Sequence, residues 1–199
     1  MANTATTPNT FVPDFNAERP GLPGAGLSWL KTLRQDGIER FNGLGLPTPK
    51  QEGWKYTRLR PLEDTRFQPV TDEDGMAALD HVPSLLPDPG GRPRLVFVNG
   101  RMRPSFWIDG DLPDGVHLDC LRDVLAHAPD WAEEYIGQLT GGDRQALVQL
   151  NTAMMDTGFV LRVDPGVVVE QPIEVVFIGG LTNQPVAYFP RNLIVLGEG

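Results

Sequence analysis

The stretch Gly158-Phe159-Val160-Leu161-Arg162-Val163-Asp164-Pro165-Gly166-Val167-Val168-Val169-Glu170-Gln171-Pro172-Ile173 carries the strongest fold signal in the chain. Phe159, Leu161 and Val163 alternate with Val160 and Arg162, the period-two pattern of a strand. Asp164-Pro165-Gly166 then places proline and glycine where a type II turn needs them. Val167 to Val169 reads as a second short strand, and Gln171-Pro172 as a corner. Downstream, Ile173, Val175 and Phe177 alternate with Glu174 and Val176, Gly179-Gly180 turns the chain, and Leu193 to Leu196 reads as a last strand. Short strands joined by tight corners predict a coiled β-solenoid or a β-sandwich. No strict repeat is visible, so the pattern leaves both open. A solenoid needs stacked turns and a cap. The expectation is therefore that the chain is part of a longer protein, or that another element covers the edge after Leu196.

Upstream of Met155 the period is helical. After Gly141-Gly142 as a stop, Asp143 is placed to cap a helix with Leu147, Leu150 and Met154 on one face. Asp130 with Glu133 has the spacing of a capping box for a helix from Trp131 to Leu139. Asp119 is placed to cap a helix carrying Leu121, Val124 and Leu125, which Pro129 breaks. Further back, Leu95-Val96-Phe97-Val98 is a strand, Asn99-Gly100 a type I′ hairpin turn, and Arg101 to Trp107 the return. Residues 63–92 are acidic and rich in proline and glycine, and read as a linker or long surface loop. Leu30, Leu33, Phe41 and Leu44 form a helical stripe, with Ser28 as N-cap and Gly37 completing the spacing at some cost to the helix. Residues 1–26 read as a flexible lead-in.

Between the first helix and the acidic segment lies Phe41-Asn42-Gly43-Leu44-Gly45-Leu46-Pro47-Thr48-Pro49-Lys50-Gln51-Glu52-Gly53-Trp54-Lys55-Tyr56-Thr57-Arg58-Leu59-Arg60-Pro61-Leu62. Gly43 and Gly45 stop the helix, and Pro47 and Pro49 forbid its resumption. Trp54 and Tyr56, interleaved with Lys55 and Arg58, are expected to pin this loop onto the core rather than to contact a ligand.

The chain has 199 residues, with 17 basic and 26 acidic side chains and a net charge of −9. That size can bury a real core. The acidity, without a basic cluster, argues against a phosphate backbone or an anionic membrane as partner. The start, Met1 to Thr10, has neither a basic n-region nor an apolar h-region, and no apolar run reaches membrane-spanning length. Cys120 is the single cysteine. An internal disulfide is excluded, which fits a reducing compartment, and the default expectation is a cytoplasmic protein.

Candidate chemistry is sparse. Cys120, beside Leu118 and Leu121, reads as a small buried hydrophobe, although its place near a helix start could lower a thiol pKa. His81, His117 and His127 sit in unrelated contexts without metal-site spacing. Gly21-Leu22-Pro23-Gly24-Ala25-Gly26 follows no strand and lacks the lysine of a phosphate loop. Met154-Met155 reads as packing, and Asp72 to Asp74 as a solvated run. No nucleophile elbow, zinc-protease or paired-carboxylate motif occurs.

Gly45-Leu46-Pro47-Thr48, followed by Glu52-x-Trp54-Lys55-Tyr56-Thr57, resembles the N-terminal signature of SufD, a scaffold family of bacterial iron–sulfur cluster assembly. Gly53 stands where that family usually has an acidic residue. Leu95 to Arg101 is similar to the family's hairpin, and Ala146 to Ala153 to the helix that leads into its β-helix. Gly166 to Ile173 and Pro190 to Val195 are similar to its first β-helix turns. The sister family SufB shares the β-helix but normally lacks the Trp-Lys-Tyr-Thr segment. The resemblance implies an α+β fold: a helical or mixed N-terminal domain over 27–155, with the loop at 63–92, then the first turns of a right-handed parallel β-helix over 156–199, here truncated. It implies a non-catalytic scaffold subunit of the SufBCD complex, pairing with a SufB-like subunit and recruiting the ATPase SufC. An iron–sulfur cluster is implied for the complex, with none bound by this chain alone. The family's SufC-binding helices and cluster-proximal cysteine and histidine lie towards its C-terminus, beyond these residues. No catalytic, cofactor-binding or metal residue is therefore assigned. The competing readings are a β-solenoid carbohydrate-active enzyme or acyltransferase, and a free-standing interaction module. The enzyme would need clustered side chains on one face, for which Arg162, Glu170 and Glu174 are the outward candidates. Self-association through the open edge is a further expectation.

Overall fold

The stripe of Leu30, Ile38 and Phe41 draws Ser28–Leu44 into one 17-residue helix with a buried face. The computed structural model describes residues 14–74, 76–139 and 145–199. In chain order its elements are α1 (Phe15–Glu18), α2 (Ser28–Leu44), α3 (Arg60–Glu63), β1 (Gln68–Pro69), α4 (Val82–Leu85), β2 (Arg94–Val98), β3 (Arg101–Met102), β4 (Val116–Cys120), α5 (Leu121–His127), α6 (Pro129–Tyr135), α7 (Ala146–Met154), β5 (Phe159–Val163), β6 (Glu174–Ile178), β7 (Val186–Ala187) and β8 (Leu193–Leu196). The class is α+β, and among the described residues the strands form two mixed three-stranded sheets and one parallel pair, with no closed barrel.

One sheet has the order β3-β2-β6 and another β4-β5-β8. In each, the first pair is antiparallel and the second parallel. β1 pairs with β7, also parallel. The two larger sheets meet face to face. Leu95 and Phe97 of β2 pack with Leu118 of β4 and Phe159 of β5, and Ile173 and Val175 join them. The other face of β2, Val96 and Val98, is covered by Val82 and Leu79. Burial on both faces explains the unbroken apolar run of β2, where a one-sided strand would alternate.

The helices cover the opposite flank. α2 packs against α7, with Phe41, Ile38, Leu150 and Ala153 between them and Phe15 beside them. Leu30 joins a second apolar cluster with Leu121, Leu125, Ala132 and Val160, which ties α2 to α5, α6 and β5. Gly37 marks the α2–α7 crossing, because a Cβ there would meet the Gln149 carbonyl at 3.0 Å and the Ala153 nitrogen at 3.1 Å.

Several expectations are corrected. The N-cap of α2 is Leu27, not Ser28, and α5 and α6 start from Cys120 and Ala128 without side-chain caps from Asp119 or Asp130. Pro129 opens α6 rather than merely ending α5, since the first helical position needs no N–H. Val167 to Val169 lies outside the strands. The strand returning from the hairpin stops at Met102, where Arg103-Pro104 leads into a 3-10 turn. Asn99 (φ 47°) and Gly100 (φ 76°) do adopt the left-handed pair of a type I′ turn.

Residues 63–92 are more than a loop. Val70 and Val82 are buried, β1 pairs with β7, and α4 and the 3-10 turn before it back the hairpin sheet. Of the expected flexible lead-in, residues 1–13 lie outside the described residues. Residues 14–26 contain α1 and a 3-10 turn, anchored by Phe15. Gly141, Gly142 and Asp143 also lie outside the described residues.

Candidate functional site

Three chain junctions converge on a polar cleft. The hairpin after β2 brings Arg101 and Met102, the β4–α5 junction brings Cys120 and Arg122, and the α7–β5 junction brings Asp156, Thr157 and Gly158. Thr71 and Asp72, just after β1, close it, and the space is about 600 Å³. A neighbouring space of about 400 Å³ shares Thr71, Arg101, Arg122 and Asp156 and runs on towards Glu18, Pro23 and Gln184.

Arg101 and Asp156 hold the cleft together. The Arg101 guanidinium donates to the Val70 carbonyl and lies 3.6 Å from Asp72 and 3.8 Å from Asp156. Asp156 is buried and accepts the Phe189 N–H at 2.9 Å. Burial pushes its carboxyl above the usual range, against the Phe189 hydrogen bond and the Arg101 charge, which pull it down. Beside it, Arg191 donates to Asn151 Oδ1 and to the Thr152 hydroxyl, and the Asn151 amide donates to the Pro190 carbonyl. Residues 188–192 are thereby clamped to the end of α7. Gly158 permits the contact: at φ 130° it faces Arg191 so closely that a Cβ would overlap the Arg191 carbonyl.

Cys120 lines this cleft as a buried free thiol. Burial first, and then the carboxylates of Asp123 and Asp119, push its pKa up to about 11, with Arg122 opposing them. It is therefore a protonated thiol at neutral pH, not the activated thiolate that a helix start could have favoured. His117 lies three positions earlier on β4, on the exposed face opposite Cys120, 3.6 Å from Asp164. His127 Nδ1 lies 2.9 Å from the Asp123 carbonyl at the end of α5, and His81 is exposed in the segment before α4. Among the described residues no group of three His, Cys, Asp or Glu side chains is placed to hold a metal ion.

Arg162, Glu170 and Glu174 do not converge. Glu174 accepts from Arg94 Nε, at 2.7 Å, and from Arg92 Nη2, at 2.7 Å, beside the β2–β6 ladder. Those two guanidinium groups hold its carboxyl below the usual range. Arg162 instead lies over the Trp131 ring at 5.7 Å. Met154 and Met155 are buried in the core, and the Pro23 carbonyl accepts from Arg34. The expected clamp of Trp54 and Tyr56 is corrected as well. Trp54 is only half-buried, and Tyr56 is 90% exposed. Arg101 and Asp156 have no local sequence signal, because their partners lie far away along the chain.

The second notable surface is the sheet edge. Among the described residues β6 and β8 each pair on one side only. Ile194 (55% exposed) and Leu196 (68%) stand out from β8. An open apolar strand of this kind invites a further strand.

Residues 90–175 match the family model described as the SufBD protein N-terminal region. The chain is also 28% identical, over 90% of its length, to an iron–sulfur cluster assembly SufBD family protein of Synechocystis. It spans 39% of that relative's length.

Proposed function

We propose that this chain is the N-terminal portion of a SufB/SufD-family protein, as the similarity of residues 90–175 and of the Synechocystis relative supports, and that it is a non-catalytic scaffold element in iron–sulfur cluster assembly. The observation that carries the reading is the match of residues 90–175, which runs from the strand β2 into β6. The relative's own name places that protein in the same process. In this reading the full protein works in the cytoplasm with a SufB-like subunit and a SufC-like ATPase. The cluster is then cargo of the complex, and none is held by this chain alone.

The fold assignment in this reading is a lead-in over 1–26, an N-terminal domain over 27–155 and the opening of a right-handed parallel β-helix from 156. The parallel pair β5–β8, which lies wholly within 156–199, supports it, since a β-helix stacks its turns through parallel ladders; β2–β6 and β1–β7 instead join this part to the preceding domain. Among the described residues no helix is long and apolar enough to cross a membrane. The scattered positions of Arg162, Glu170 and Glu174 weigh against the solenoid-enzyme alternative.

Co-expression of the full-length protein with the SufB-like and SufC-like subunits of its own genome tests this. A stoichiometric complex on gel filtration, with ATPase activity confined to the SufC-like subunit, is expected. Failure to associate with either subunit overturns the proposal.

A further inference from the structure

We propose that the turn-rich segment Thr48–Arg60 is a docking surface for an acidic segment of a partner protein, with the exposed Tyr56 ring as its anchor. This inference stands apart from the iron–sulfur reading and rests on the segment's exposure, charge and backbone.

The segment is held at both ends and free in between. Pro47 is buried and Leu46 packs on the α2–α7 core. On the far side Leu59 is half-buried and Leu62 returns to the same core. Between them the chain closes on itself through successive tight turns. The N–H of Gln51 donates to Thr48, Trp54 to Gln51, Lys55 to Glu52 and Thr57 to Trp54, at 2.9–3.3 Å. A backbone ordered in this way loses little entropy when it binds.

Its side chains are spare. Lys50, Lys55, Tyr56 and Arg58 are exposed and make no side-chain hydrogen bond or ion pair among the described residues. Their one internal contact is Lys55 Nζ at 5.5 Å from the Tyr56 ring centroid. A folding role does not account for a tyrosine left 90% in water. Exposed tyrosine and arginine side chains are the types enriched at binding hot spots.

The charge of the segment names the occupant. Lys50, Lys55 and Arg58 stand against the single carboxylate Glu52, with Arg60 already paired to Asp64 at 3.4 Å, in a chain of net charge −9. Such a local reversal is complementary to an acidic surface and steers its approach. A nucleic acid would call for a longer basic stripe to follow its phosphates.

The test uses the chain itself and a short fluorescent peptide of Glu, Asp and Leu, titrated at low and physiological salt. Saturable binding is expected, weakened by salt. Tyr56→Ala and the pair Lys55→Glu, Arg58→Glu should each weaken it by roughly tenfold. The control Lys31→Glu, at an exposed site on α2, should leave affinity unchanged, and all variants should melt with the wild type. Absence of saturable binding overturns the proposal, as does an equal loss with Lys31→Glu, which would mean diffuse charge. A single-stranded oligonucleotide that binds more tightly through the same residues would overturn it in favour of nucleic acid. Self-association lost on Tyr56→Ala would overturn it in favour of a second copy.

Discussion

Gly37 of α2 and Gln149 of α7 approach so closely that a Cβ on Gly37 would stand 3.0 Å from the Gln149 carbonyl oxygen. In an isolated helix Gly37→Ala would add about 1 kcal/mol of stability. Here the added methyl meets backbone, which cannot swing away, and overpacking of this kind costs about 1–3 kcal/mol. The second effect wins. Gly37→Ala should lower the urea midpoint, and an unchanged or raised midpoint would mean that the two helices separate freely.

Arg34 is buried beneath this crossing and donates to the carbonyls of Ala153, at 3.1 Å, and Pro23, at 2.9 Å. Burial lowers its pKa to about 10, with Asp156 opposing, so it remains charged at neutral pH. Arg34→Met keeps the bulk but leaves both carbonyls without a donor, a loss of about 2–4 kcal/mol. A melting curve matching that of the wild type would show that water replaces the guanidinium at no cost.

Asp156 and Glu174 should shift stability with pH in opposite senses. The Asp156 carboxyl is raised in the folded state, so its contribution falls as pH rises from the unfolded value, about 3.9, through the folded one. Glu174 is lowered, so its contribution is present above its unfolded value, about 4.3, and is lost as pH falls through the folded one. Relative to wild type, Asp156→Asn should gain stability between acid and neutral pH, and Glu174→Gln should lose it. Denaturant midpoints across that range check both signs. Parallel trends would contradict the assignment.

With a pKa of about 11 and a buried sulfur, Cys120 should react slowly with maleimide at neutral pH. The rate should climb about tenfold per pH unit below that value, as the thiolate fraction grows. Fast labelling at pH 7 in the native protein would show an open, activated thiol.

Amide exchange should grade the strands. β2 and β5 are the central strands of their sheets, whereas β8 pairs only with β5 among the described residues. Protection should be strongest at Val96 and Val160 and weak at Ile194 and Leu196. Equal protection across β5 and β8 would show that something already covers that edge.

The strands β2, β5, β6 and β8, the Asn99-Gly100 turn and the two longest helices could all be read from the chain, because each rests on neighbours within a few residues. Local chemistry misled where tertiary packing took over. Residues 63–92 read as a linker or loop because they are acidic and rich in proline and glycine, yet Val82 reaches full burial because β2 has a second face to cover. Trp54 and Tyr56 looked like a clamp, because an aromatic pair beside a helix stop is indifferent, as sequence, to which side faces the core.

By itself the sequence determined the α+β class, the order of the longer helices and strands, the poverty of ligand-bearing side chains and the family resemblance. All of these follow from periodicity, composition and short motifs. Only the tertiary structure decided that β6 and β8 join their sheets in parallel across long sequence gaps, and that Arg101 meets Asp156 in a cleft. It alone shows that Cys120 and His117 face opposite ways on β4, and that Tyr56 stands in water. Those outcomes depend on which distant surfaces exclude water together, and that free energy is summed over the whole packed molecule rather than written in any one segment.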